Sequence, residues 1–151
     1  MTNTFLEQIP KNPKSISEMQ ILNLAYIGDA VFEIMVRTHI VNNNKSAAKE
    51  LHKVAKSYVC AKAQAEMYRS LTEALSDEEM SVMRRGRNAK SQSKAKNASI
   101  GDYRYATGME ALFGYLYLKN EVARLMEIFE ICLNTTTNTT IPSKKQPSHI
   151  L

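Results

Sequence analysis

Leu22-Asn23-Leu24-Ala25-Tyr26-Ile27-Gly28-Asp29-Ala30-Val31-Phe32 reads as a helix, with Leu22, Ala25, Tyr26, Phe32 and then Val36 recurring on one stripe. Asp29 falls on the same stripe, so a carboxylate is expected to face the core. That placement costs several kcal/mol unless something pairs with the charge. About eighty residues later the pattern returns: Glu110 shares a helical face with Tyr103, Ala106, Thr107, Phe113, Gly114 and Tyr117. A single acid on an apolar stripe is usually a capped or salt-bridged residue at the edge of the core. Two such acids on separate helices have a common explanation, that they meet and a cation holds them together. Each also has a glycine in its own turn, Gly28 beside Asp29 and Gly108 near Glu110. Glycine costs roughly 1 kcal/mol against alanine inside a helix, so close approach of two backbones, or of a backbone to a ligand, is expected there.

The chain has 151 residues, enough for one domain with its own core. Apolar runs are interrupted by Asp29, Glu33 and Glu110, so no membrane span is expected, and Met1 to Glu7 lacks the basic and apolar regions of a signal peptide. A cytoplasmic protein follows as the expectation. Cys60 and Cys132 have no partners at metal-ligand spacing and read as small buried residues. His39, His52 and His149 are scattered, which gives a zinc site or a histidine-based triad no support. Charge is concentrated. Arg84, Arg85, Arg87, Lys90, Lys94, Lys96 and Arg104 are opposed within their segment by Asp102 alone, seven against one for +6. The whole chain carries +5, so the remainder is about −1, and a localised excess of this kind points to a polyanion.

Ser17-Glu18-Met19-Gln20 fits a capping box opening a helix that runs to about His39 or Val41, with a turn at Asn42-Asn43-Asn44. Ser46 is a cap for the next helical stretch, in which Leu51, Val54, Ala55, Val59, Ala61, Ala65, Met67 and Leu71 divide between two helices broken near Ser57-Tyr58. Ser76-Asp77-Glu78-Glu79 is a second capping box, and Gly86 is expected to end or loosen the helix it starts. A polar, basic loop spans Asn88 to Ile100, and a helix is expected from about Asp102 to Leu118. A last helix over Glu121 to Leu133 buries Val122, Leu125, Met126, Phe129 and Cys132. The reading is all-α, with an N-terminal extension over 1–15, a catalytic domain over 16–133 and a disordered polar tail over 134–151.

A basic loop running into the helix that bears Glu110 suits phosphate backbones, each contact adding a sequence-independent, salt-dependent contribution. Tyr103 and Tyr105 flank it and are available to a sugar or base, although core packing is favoured for at least one. Phosphate-binding residues leading into a carboxylate site describe a metal-dependent phosphodiester enzyme; the plainer alternatives are a solvated charged loop or a patch for anionic membrane.

Tyr26-Ile27-Gly28-Asp29-Ala30-Val31 resembles the characteristic motif of ribonuclease III, and Gly108-Met109-Glu110-Ala111-Leu112-Phe113-Gly114-Tyr115-Leu116-Tyr117-Leu118 looks like that family's second acidic helix. Arg84-Arg85-Gly86-Arg87-Asn88-Ala89-Lys90-Ser91 with Tyr103-Arg104-Tyr105-Ala106-Thr107 is closer still to the bacterial Mini-ribonuclease III group, which lacks the double-stranded-RNA-binding domain. The resemblance covers about Ile16 to Leu133. It implies the all-helical endonuclease fold of that family, acting as a homodimer on double-stranded RNA with Mg²⁺ and leaving 5′-phosphate and 3′-hydroxyl ends. By position it makes Asp29 and Glu110 the catalytic and metal-binding carboxylates and puts Tyr26 at the dimer interface. The full-length enzymes carry two further acids where this chain has Ala25 and Thr107. Thr107, one turn from Glu110, is left to orient it or a water. Glu33 has Arg37 four residues on, which fits a surface pair rather than a ligand.

RNA binding is then expected to fall on the Arg84–Arg104 segment. The group's associated role is trimming precursor 23S ribosomal RNA, with a ribosomal protein as an expected helper; both come from the resemblance alone. The competing reading is a non-catalytic RNA-binding or ribosome-associated protein on the same fold, favoured by Ala25 and Thr107 and opposed by the retained pair of acids.

Overall fold

The computed structural model describes residues 5–90 and 99–137, and no strand occurs among them. Lys94, Lys96 and the tail from residue 138 onward lie outside the described residues. A short helix α1 (Phe5–Gln8) and a 3₁₀ turn (Pro13–Glu18) precede six longer helices. These are α2 (Ile21–Asn43), α3 (Ala48–Val59), α4 (Ala61–Leu71), α5 (Asp77–Asn88), α6 (Ile100–Leu118) and α7 (Val122–Thr137).

The chain is organised around α6. Ala106 to Tyr117 are buried on every side except at Glu110, so this helix is apolar around its circumference and must be enclosed. Helices α2, α4, α5 and α7 supply the enclosure. Phe32 of α2 meets Phe113 edge-on at 5.2 Å and Phe129 of α7 at 6.1 Å, and it is wholly buried. Each such side chain contributes roughly 1.5–3 kcal/mol on burial.

Two crossings bring backbones unusually close. A methyl group built on Gly28 would lie 1.7 Å from the carbonyl oxygen of Glu110, and one on Gly114 would lie 1.9 Å from that of Leu24. Helices α2 and α6 therefore touch backbone to backbone. Gly86 of α5 packs on α6 less tightly, an added methyl lying 2.8 Å from the Gly108 Cα, and a methyl on Gly108 would meet the Met83 carbonyl at 2.6 Å. The expectation that Gly28 and Gly108 mark close approaches holds. Gly86 does not end its helix, which runs on to Asn88, because its role is packing.

The Ser76 capping box forms: its hydroxyl accepts from the Glu79 amide, and the Glu79 carboxylate accepts from the Ser76 amide. Glu79 is buried and also takes Nε and Nη2 of Arg124 at 2.9 Å each, which ties α5 to α7 and holds its carboxyl below its ordinary range.

Several local expectations yield to tertiary context. Ser17 lies in the 3₁₀ turn, and α2 begins at Ile21 behind Gln20 without a side-chain cap. Ser46 does not cap α3, whose N-cap is Ala47, and the break between α3 and α4 falls at Cys60 rather than at Ser57-Tyr58. Cys60 is exposed at that break, whereas Cys132 is buried as expected. The final helix continues to Thr137, so Asn134 to Thr137 are helical rather than tail. Met126 is 53 % exposed, because α7 turns only its Leu125, Ile128, Phe129 and Cys132 side inward.

Candidate active site

The Gly28–Gly114 crossing builds the site. With Gly28 seated on the Glu110 carbonyl, the adjacent Asp29 is carried to the same end of the α2–α6 contact as the Glu110 side chain. The two acids interact: burial raises the Glu110 carboxyl most, and the Asp29 charge raises it further, to about 8. The Asp29 carboxyl is also raised, by burial first and by Glu33 second.

The placement of Asp29 differs from the one its stripe predicts. It is an exposed residue at the edge of the α2–α6 contact, while Ala25, Val31, Phe32 and Val36 face inward. Tyr26 is turned outward and is 83 % exposed. The half-buried acid is Glu110. Glu33 makes its 2.7 Å surface pair with Arg37 as anticipated.

Thr107 is buried one turn before Glu110, and its hydroxyl donates to the Tyr103 carbonyl at 3.0 Å. Its proton is thus spent inside α6, and only acceptor capacity is left toward the site. Gln64, which no sequence motif singles out, approaches Glu110 from α4. It is 2 % exposed, and its carboxamide favours the charged form of Glu110. No periodicity marks such a residue, since its partner is far away in the chain.

Two neighbouring carboxyls, both raised and with no cation acting on either among the described residues, form a pair of hard oxygen donors whose full ionisation a bound cation would favour. Among the described residues no group of three or more His, Cys, Asp and Glu stands together. Two protein carboxylates suit Mg²⁺, which commonly binds through one or two carboxylates and keeps several waters. The donor set fits that ion, with Asp29 and Glu110 as the residues to hold it.

The unrelieved pair has a thermodynamic consequence. A carboxyl at about 8 when folded, against an ordinary 4.5, holds its proton more tightly in the native state. The contribution of Glu110 to stability is then most favourable below about pH 4.5 and falls as pH rises toward 8. Without divalent cations, Glu110→Gln is expected to melt above wild type near pH 8, by a difference on the order of a few kcal/mol. The difference should close as pH falls toward 4.5. Thermal unfolding across this range checks it, and equal melting temperatures at pH 8 would contradict it.

The basic residues divide into two directions. Arg84 and Arg87 face Tyr68, and Arg87 also approaches the Tyr105 ring, 5.9 Å from guanidinium carbon to centroid. Arg69, from outside the basic segment, stacks closer on that ring at 4.9 Å and pairs with Asp102 at 4.0 Å. Arg85 points to another side of α5, where it borders a hollow with Tyr115 and Lys119. Lys90 and Arg104 are exposed. Tyr105 packs edge-on against Tyr68 at 4.8 Å, so it belongs partly to the core, as anticipated for one of the two tyrosines.

An all-helical domain that brings two acids together and carries a concentration of arginines on α5 has the layout of a phosphodiester hydrolase. Residues 22–121 match the family described as Ribonuclease III domain. The chain belongs to the ribonuclease III family, within its Mini-ribonuclease III group, and is an endoribonuclease. It is 49 % identical over 122 residues to the Mini-ribonuclease 3 of Clostridium tetani, covering 80 % of this chain and 81 % of that one. Identity to the Brevibacillus brevis Mini-ribonuclease 3 is 45 %, over 82 % of this chain and 90 % of the relative. An X-ray structure of a Fusobacterium nucleatum protein superposes with a TM-score of 0.72 at 27 % identity, over 80 % of this chain and 96 % of that one.

Proposed function

We propose that this chain is a Mg²⁺-dependent endonuclease of double-stranded RNA that acts as a homodimer. The carrying observation is the pair Asp29 and Glu110, set by a glycine crossing and without a compensating protein cation among the described residues. When bound, Mg²⁺ supplies the charge that activates water and steadies the oxygen leaving phosphorus. The chain's own residues do the rest. Asp29 and Glu110 hold the ion, and Arg84, Arg85, Arg87, Lys90 and Arg104 take backbone phosphates and fix the duplex. Cleavage of the P–O3′ bond leaves a 5′-phosphate and a 3′-hydroxyl. Tyr26, exposed one turn before Asp29, supports a dimer contact placed beside the site, and Ile34 and Val41 continue an apolar outer face along α2.

The substrate in this reading is precursor 23S ribosomal RNA. No helix of the described residues is long and apolar enough to cross a membrane. The test is incubation of a labelled RNA duplex and a structured 23S precursor with Mg²⁺ or with EDTA. Metal-dependent cuts with 5′-phosphate ends are expected; binding without cutting on both substrates would favour a non-catalytic RNA-binding protein.

Neutralising Arg84, Arg85, Arg87 and Lys90 together is expected to weaken binding of every duplex alike. It should also make the plot of log affinity against log salt shallower, by nearly one for each phosphate that is no longer neutralised. Filter binding over a salt series checks this, and an unchanged slope would place the RNA elsewhere.

A further inference from the structure

Gln64 sits on the face of α4 that packs on α6. One turn along, Tyr68 presses on α6 at Gly108, with a ring carbon 2.8 Å from where a Gly108 methyl would stand. The stripe carrying Gln64 and Tyr68 therefore runs along the stretch of α6 that bears Thr107, Gly108 and Glu110. A buried carboxamide normally satisfies each of its polar atoms, because an unpaired one costs about 1–3 kcal/mol. The Gln64 Nε2 atom is buried with no hydrogen-bond partner among the described residues. Its carboxamide stands beside the Glu110 side chain across the α4–α6 contact, so this donor has an acceptor within reach and no closed hydrogen bond to it.

We propose that Gln64 is a positioning residue for Glu110, its amide closing on the carboxylate and holding it turned toward Asp29 when a divalent cation occupies the pair. This rests on the reading of Asp29 and Glu110 as the metal-binding acids. An amide suits the task where lysine or arginine would not. It donates a hydrogen bond and orients the oxygen, yet leaves both negative charges available to the ion. A purely structural glutamine would already have spent Nε2 on a neighbouring carbonyl.

Gln64→Met keeps the length and removes the amide. With an unpaired buried polar atom gone, the variant is expected to melt at or above the wild-type temperature in the absence of metal. Mn²⁺, followed by the electron paramagnetic resonance of the free ion, serves as the probe of binding. Gln64→Met is expected to weaken Mn²⁺ binding about tenfold and to lower kcat by about 10–100-fold, with KM for an RNA duplex unchanged. Glu110→Gln runs beside it. If Glu110→Gln loses Mn²⁺ binding while Gln64→Met binds as wild type does, the positioning role is overturned and the metal site stands. If Glu110→Gln also binds as wild type does, the metal site itself is wrong and the proposal falls with it. Should Gln64→Met fail to fold, the side-chain amide resonances of Gln64 decide the matter. They are expected to shift on Mg²⁺ addition in wild type but not in Glu110→Gln, and a resonance unmoved in wild type overturns the proposal.

Discussion

Asp29→Asn and Glu110→Gln are each expected to lower duplex cleavage on the order of 10³-fold or more, while duplex affinity in the absence of metal stays within about threefold. Both variants are nearly isosteric and remove one charge from a pair whose carboxyls are already raised, in each case by burial first. Neither should unfold the protein. Asp29 is exposed, and Glu110→Gln relieves a strained charge. Lost activity without lost stability is therefore the expected pattern, the mark of residues kept for chemistry at some cost to the fold. Affinity should be spared because the residues proposed to take phosphates lie elsewhere, on α5, at Lys90 and at the exposed Arg104 of α6. Single-turnover cleavage with a parallel gel-shift assay in EDTA separates the two effects. Parallel loss of binding and cutting would mean that the acids support the RNA surface instead.

The second large effect lies in the backbone. Gly114→Ala is expected to destabilise the protein by about 4 kcal/mol or more, a fall on the order of 10 °C in Tm or failure to fold. Gly28→Ala should behave the same way. In each case the added methyl meets a carbonyl oxygen of the facing helix, at 1.9 Å and 1.7 Å respectively. Backbone cannot rotate out of the way as a side chain can, so α2 and α6 must separate. Any Gly28→Ala protein that does fold should also be inactive, since the same crossing sets Asp29 beside Glu110. Gly101→Ala is the control. That glycine lies in the first turn of α6, and the nearest atom to an added methyl is the Ser99 hydroxyl at 4.0 Å. It should be neutral or stabilising by up to about 1 kcal/mol. Circular dichroism melts of the three variants decide the matter; a folded Gly114→Ala with wild-type Tm would contradict the crossing.

The sequence carries the helix plan because most helices here announce themselves through apolar spacing and, at Ser76, through a complete capping box. It also exposes the two acids as out of place, though for a partly wrong reason. On α2, apolar residues occur nearly all round: Phe32 and Val36 face the core, whereas Tyr26, Ile34 and Val41 face outward. A stripe drawn through such a helix does not identify its inner side, and it puts Asp29 in the core rather than at its edge. The better clue is Gly28, whose missing side chain has a single physical use at this position. Ser17 and Ser46 fail as caps because chain entry is fixed by packing rather than by local hydrogen bonds. Gln64 and Arg69 are invisible for another reason. Gln64 reaches Glu110 across 46 residues of chain and Arg69 reaches Tyr105 across 36, so neither contact leaves a local pattern.

The most direct test of the central claim is single-turnover cleavage of an end-labelled RNA duplex over a Mg²⁺ series. It compares wild type, Asp29→Asn, Glu110→Gln and the double variant. If the two acids hold one ion, wild type alone cuts with saturable dependence on Mg²⁺, and the double variant is no worse than either single one. Losses that multiply would mean that the acids act independently, and cleavage retained by either single variant would remove that acid from the site.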